Sequence, residues 1–227
     1  MAVVDLSIII VTWNVSKLLK ECVESIVATA GSITYEVIVV DNNSSDDTVA
    51  VMREHFPWVK LIANKNNPGF AAANNQGIAI ACGENVLLLN PDTVMQAGAL
   101  DKLLAYMREH AEIGLLGPRL VYPDKRIQHA CARRLPTLSY ELIQSAFRIG
   151  NLSFLRDWVL TTLVSPYDLS KSQPVEAISG AAAVIRRDVV NQIGGLDEHY
   201  SFCGEDIDYC ARVKQAGWEV AYVADAI

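Results

Sequence analysis

The chain has 227 residues, 51% of them hydrophobic and 20% charged, and a formal net charge of -7. That length holds one large domain or two small ones with a substantial core. The negative balance excludes a general nucleic-acid binder, which needs a basic face to displace counterions from phosphates. Five scattered cysteines (Cys22, Cys82, Cys131, Cys203 and Cys210) form no C-x-x-C pair. They read as free thiols in a reducing cytoplasm, not as a disulfide framework or a structural zinc site. No apolar run approaches the ~18–20 residues that span a bilayer, and the start lacks the basic region and cleavage site of a signal peptide. The expected location is the cytoplasm.

In chain order, LSIIIV (6–11) is a short β-branched apolar run. Val15, Leu18, Leu19, Cys22, Val23, Ile26 and Val27 then recur with helical spacing. EVIVV (36–40) is a second strand, and SSDD (44–47) caps a helix carrying Val49, Met52 and Phe56. VKLIA (59–63) is a third strand, an alanine-rich helix covers about 70–82, and NVLLLN (85–90) is the fourth strand. This alternation predicts an α/β, Rossmann-like, doubly wound sheet that is mostly parallel, with helices on both faces. Past Pro91 the pattern changes. Leu100, Leu103, Leu104 and Met107 mark a helix, IGLLGPRLVY (113–122) gives strands, and VEAISGAAAVIRR (175–187) reads as one strand leading into a short helix that ends at Gly194–Gly195. The expected organisation is a single domain over 1–227. Residues 1–95 form a nucleotide-binding half, and 96–227 form an acceptor-binding half that is a mixed extension of the same sheet. AYVADAI reads as a strand just finishing, so the natural protein is expected to continue beyond it.

Ligands of open α/β sheets bind beyond the carboxyl ends of the strands. Those positions hold Thr12–Trp13–Asn14, Asp41–Asn42–Asn43, Asn64 to Phe70, and Asn90–Pro91–Asp92. Each alone is an ordinary set of turn formers; four on one rim point to a ligand. No G-x-G-x-x-G and no P-loop is present. A diphosphate would then be held through a divalent cation, Mg²⁺ or Mn²⁺, which needs only one or two carboxylates beside the phosphates. Asp92, stiffened by Pro91, suits that work, and Asp41 suits hydrogen bonds from a base or ribose. Trp13 reads either as a stacking platform for a base or as an aromatic packed under the rim. CGEDIDYC (203–210) crowds Glu205, Asp206 and Asp208 ahead of a helix. Acids favour helix N-termini for the dipole alone. The functional reading is that repulsion and burial raise one carboxyl toward the range of a general base. His55, His110, His129 and His199 have no metal-ligand spacing.

In this order SIIIVTWN, VIVVDNNSSDDT, NKNNPGFAAANNQGI, LLLNPDTV, ISGAAAVIRRDVVNQIGGLDEHY and GEDIDYCARVKQAGW resemble the family 2 glycosyltransferases. These are inverting enzymes of the GT-A fold, and the pattern is similar in particular to their rhamnosyltransferase-like members. The resemblance implies sugar transfer from a nucleoside-diphosphate sugar, dTDP-rhamnose or a UDP-sugar, to a saccharide or lipid-linked acceptor of a cell-surface polysaccharide. It implies base and ribose contacts from Thr12, Trp13, Asn14 and Asp41, and a nucleotide-binding lining from Asn67, Gly69, Phe70, Asn74 and Asn90. Asp92 would bind the metal, Asp206 would be the catalytic base, Glu205 would orient it or the acceptor, and Arg212 falls where the family often keeps an arginine. The chain departs from the family's D-x-D at Asn90, and it ends before a histidine-bearing turn that the family often carries. A sugar nucleotidyltransferase and a nucleotide-sugar-binding module without activity are the alternatives. Residues 135–165, with Arg148 and Arg156, read either as an acceptor side in peripheral contact with the inner face of a membrane or as helices packed on the core.

Overall fold

The computed structural model describes residues 4–136, 166–200 and 203–227. Strands β1 (Leu6–Thr12), β2 (Tyr35–Asp41), β3 (Lys60–Ala63) and β4 (Asn85–Leu89) alternate with helices α1 (Ser16–Thr29), α2 (Thr48–His55) and α3 (Phe70–Ile80). Helix α4 (Ala99–Glu109) and strand β5 (Ile113–Pro118) follow. Then come β6 (Gln173–Val175), β7 (Ala182–Arg186), α5 (Arg187–Ile193), α6 (Glu205–Gln215) and β8 (Glu219–Val223). The strands form one eight-stranded sheet in the order β3-β2-β1-β4-β7-β5-β8-β6.

The doubly wound mixed α/β sheet expected from the sequence is present. β1 pairs in parallel with both β2 and β4, and β2 with β3. Every residue of β1 and β4 is buried, which is why their centres, IIIV and VLLL, are apolar runs that do not alternate. The chain steps outward through β1, β2 and β3, then returns to β4. Right-handed crossovers therefore put α1 and α2 on one face and α3 on the other. On the α3 face Gly77 sits against Ile9, where an added Cβ would come within 2.5 Å of the isoleucine.

The second half corrects one expectation. The stretch 175–187 is not one strand: β6 ends at Val175, a turn follows, and β7 begins at Ala182. β7 runs antiparallel between β4 and β5, whereas β6 lies at the far edge against β8. A run of small residues, Ser179 to Ala183, carries no periodicity that would mark the break. The insertion of β7 brings the turn before it to the same edge as the carboxyl ends of β1, β2 and β4, since Ala182 faces Leu89. The sequence readings at Leu138, Leu142, Phe147, Arg148, Phe154, Arg156 and Trp158 lie outside the described residues. Among the described residues no helix is long and apolar enough to cross a membrane.

Candidate active site

The ends of β1 and β2 supply the first part of the site. Thr12 and Asp41 are register partners, and each is 1% exposed. The Ser44 N–H donates to Asp41 Oδ2 at 3.0 Å, but Asp41 Oδ1 and Thr12 Oγ1 are buried without a hydrogen-bond partner. Buried polar atoms are nearly always paired, and these two exceptions stand side by side at the carboxyl ends of β1 and β2. Asn14 adopts φ 56°, a left-handed conformation that asparagine tolerates. Its N–H donates to Ser44 Oγ at 2.8 Å and its Oδ1 accepts the Ser45 N–H at 2.7 Å, which ties the loops after β1 and β2 together. Trp13 is 57% exposed and does not pack under the rim. Of its two sequence readings only an open aromatic face remains.

The loop after β3 is shaped by its own amides. Asn67 Oδ1 accepts the Gly69 N–H at 2.9 Å, and Gly69 takes φ 95° as the residue before α3. Apart from its own chain neighbours, no atom lies within 4 Å of where a Gly69 Cβ would stand, so the space beside the helix start is open. Asn42 Nδ2 donates to the Gly69 carbonyl at 3.2 Å, and Asn64 Nδ2 donates to Asn42 Oδ1 at 3.1 Å. Asn74 is buried, and its amide donates to the Phe70 carbonyl at 3.0 Å, within the helix.

The turn after β4 is anchored on both sides. The Asn90 N–H donates to the Ala181 carbonyl at 2.9 Å, and the Cys22 thiol donates to the Asn90 carbonyl at 3.7 Å. Asp92 is exposed. Burial pushes the Cys22 thiol up to about 12, and the nearby Asp92 charge adds to the shift. Among the described residues no group of three or more His, Cys, Asp or Glu side chains is arranged to hold a metal ion. One exposed carboxylate fits Mg²⁺ or Mn²⁺ where phosphate oxygens and water complete the shell.

The second acid group sits at the start of α6. Glu205 and Asp206 line a cavity whose other walls include Phe70, Leu88, Gly180 and Leu196. Asp206 Oδ2 accepts from Arg133 Nη2 at 2.7 Å and from the Gly180 N–H at 3.1 Å, while Oδ1 accepts the Ile207 N–H at 2.8 Å. The carboxyl that is raised is Glu205, first by burial and then by the neighbouring Asp206 charge. Asp208 and Arg212 do other work. Arg212 pairs with Asp208 at 2.7 Å and donates to the carbonyls of Ile193 and Gly195, which braces the loop after α5.

The structure therefore gathers Phe70, Glu205 and Asp206 around one cavity. It also links the Asp92 turn to Asp206 through the Gly180–Ala181 segment. Thr12, Asn14 and Asp41 form a separate cluster on the same rim. Sequence reasoning missed Arg133 and the Gly180 N–H. Arg133 lies 73 positions from Asp206, and an Arg-Arg pair before Leu135 and Pro136 gave the only signal.

Comparison with known proteins fits this geometry. N-acetylglucosaminyl-diphospho-decaprenol L-rhamnosyltransferase of Mycobacterium tuberculosis is 31% identical over 202 residues, covering 84% of this chain and 64% of that protein. The chain thus spans just under two thirds of that relative's length. A crystal structure of S. aureus TarS 1-349 superposes with a TM-score of 0.66 at 18% identity, over 97% of this chain and 58% of that one. A Pyrobaculum calidifontis mannosyltransferase in complex with GDP-Man and Mn²⁺ superposes with a TM-score of 0.63 at 18% identity, over 99% and 58%. Both likenesses establish the GT-A type of fold. Residues 7–194 match the family described as Glycosyl transferase family 2, and the chain belongs to that family.

Proposed function

We propose that this chain moves a sugar from a nucleoside-diphosphate sugar to a hydroxyl of a saccharide or lipid-linked saccharide, by single displacement at the anomeric carbon. One observation carries the reading. The Asn90 N–H of the Asp92 turn donates to the Ala181 carbonyl, and the adjoining Gly180 N–H donates to Asp206, so one short segment ties both acids to the same edge of the sheet. A sugar lying between the rim and the acid pair has a nucleotide on one side and a proton acceptor on the other.

The nucleobase is narrowed by the orphan oxygens. Asp41 Oδ1 is unpartnered but buried, so a base bonds to it only once the atoms covering it move aside, and Oδ2 already takes the Ser44 N–H. A guanine would present two donors and ask for both oxygens. The single imide N–H of uracil or thymine matches one, with the Thr12 hydroxyl free to donate to a ring carbonyl. The name of the mycobacterial relative supports a rhamnosyl donor and an acceptor carried on a polyprenyl diphosphate. Such an acceptor implies contact with a membrane surface.

In the transfer, the acceptor hydroxyl loses its proton to Asp206 as its oxygen bonds to the anomeric carbon. The bond from that carbon to the diphosphate oxygen breaks, and its electron pair leaves with the nucleoside diphosphate. Attack from the Asp206 side, opposite the leaving group, inverts the configuration. General-base assistance of this kind contributes roughly 10²–10⁴-fold. Glu205, raised by burial, faces the acceptor as a hydrogen-bonding partner. Asp92 would hold Mg²⁺ or Mn²⁺ against the diphosphate, where the cation supplies charge neutralisation of the leaving group.

The test is release of nucleoside diphosphate from a panel of UDP-, dTDP- and GDP-sugars, with and without saccharide acceptors. Acceptor-dependent release from a UDP- or dTDP-sugar supports the reading. Binding without release identifies a binding module, and formation of nucleoside triphosphate from pyrophosphate identifies a nucleotidyltransferase.

A further inference from the structure

We infer that Arg133 is a positioning residue for the transfer: its guanidinium fixes the Asp206 carboxylate so that Oδ1 is the oxygen that takes the acceptor proton. This rests on the role given to Asp206 under the proposed function. A carboxylate has about four lone-pair sites. Arg133 Nη2 and the Gly180 N–H occupy both sites on Oδ2, and the Ile207 N–H occupies one on Oδ1. Among the described residues the one acceptor site left is on Oδ1. The proton from the acceptor hydroxyl arrives there while its oxygen bonds to the anomeric carbon.

The arginine is built in for this contact. Its backbone forms a two-way bridge with Ala177, at 2.8 and 2.9 Å, in the segment that leads to Gly180. Two residues on, the Leu135 N–H donates to Glu176 at 2.8 Å. The two donors to Oδ2 therefore come from neighbouring, mutually bonded strands of chain. Arg133 Nε is buried with no partner, so the side chain accepts an unsatisfied N–H in order to place Nη2 on Asp206. The space beside Gly180 is equally tight: a Cβ there would stand 3.1 Å from Asp206 Cβ. Among the described residues the other titratable groups facing Asp206 are Glu205 and the Cys210 thiol, which burial pushes up to about 12. Arg133 thus places a cation directly on Asp206, the neighbour whose charge helps raise Glu205.

The test is a kinetic cycle with Arg133→Met, Arg133→Lys, Asp206→Asn and the double variant Arg133→Met/Asp206→Asn. Arg133→Met is expected to lower kcat by about 10²-fold, the cost of a misplaced reacting group, and to leave donor KM within about twofold. Arg133→Lys keeps the charge but not the fork, and should recover about tenfold of that loss. In the Asp206→Asn background, Arg133→Met should cost nothing further, because an arginine that acts only through Asp206 has nothing left to position. Additive losses in the double variant, or an unchanged kcat in Arg133→Met, would overturn the inference. If Arg133→Met does not fold, an Arg133→Lys variant with wild-type melting temperature and wild-type kcat overturns it equally. If Asp206→Asn alone keeps full turnover, the base assignment falls. If Asp206→Asn is inactive while Arg133→Met is unaffected, only the positioning role falls.

Discussion

Asp41→Asn tests the proposed nucleobase contact at one atom. The substitution preserves shape, and the new amide oxygen can still accept the Ser44 N–H that now meets Oδ2 at 3.0 Å. What changes is the orphan Oδ1, which becomes an NH₂ donor aimed at the same place. A uracil or thymine N3–H then meets a donor. The loss is a hydrogen bond to a charged group, about 1.5–3 kcal/mol, which is a dissociation constant raised about 10- to 150-fold. Cytosine carries an acceptor at N3, so its nucleotides should lose nothing or gain. Calorimetric titration of UDP, dTDP and CDP into both proteins reads this directly, and melting curves check that the variant is folded. If UDP and dTDP bind the variant as tightly as the wild type, Asp41 is not the base-reading residue. If all three nucleotides weaken equally, the orphan-oxygen argument fails even though the pocket is real.

Three further predictions bear on the metal, the acid pair and the scaffold. Asp92→Ala should remove the gain in UDP or dTDP affinity that Mg²⁺ or Mn²⁺ provides while leaving metal-free affinity intact; titrations with and without chelator decide it. Gly180→Ala, whose Cβ would press on Asp206 Cβ at 3.1 Å, should lower kcat by less than about 10²-fold with donor affinity unchanged. At the opposite edge of the sheet, burial would raise the Glu36 carboxyl. The Cys82 N–H, the Lys60 ammonium and the Ser7 hydroxyl outweigh it and hold the group at about 2. A depressed carboxylate stabilises the fold above its unfolded value near 4.5, and that stabilisation is lost as pH falls toward 2. Glu36→Gln should therefore cost up to roughly 3 kcal/mol at pH 7 and much less at pH 3. Equal destabilisation at both pH values in urea melts would contradict the network.

The first half of the fold was legible because short β-branched or leucine-rich apolar runs take turns there with period-3.6 stripes, and each strand ends in a polar cluster. Thr12, Asp41 and the Asn90 turn fall at strand ends for that reason. The break between β6 and β7 was hidden because Ser179 to Ala183 are too small to show which face they prefer. Its consequence for function was hidden with it, since the Gly180 N–H and the Ala181 carbonyl join the two acid sites only once β7 is seen to run beside β4. The crowding of Glu205 and Asp206 was visible, but the partner that sorts them was not. An ion pair spanning 73 positions leaves no local pattern, whereas the i, i+4 pair of Asp208 and Arg212 does. Arg212, whose i, i+4 partner marks it locally, braces a loop, while Arg133, marked only by the neighbouring Arg134, touches Asp206.

The most direct measurement is the transfer rate of Asp206→Asn against its affinity for the donor nucleotide. With the proposed proton acceptor replaced by an isosteric amide, kcat should fall by roughly 10²–10⁴-fold, while calorimetry returns a wild-type dissociation constant for UDP or dTDP. Turnover within a few-fold of wild type, at intact donor binding, would contradict the assignment of Asp206 as the base and with it the single displacement at the anomeric carbon.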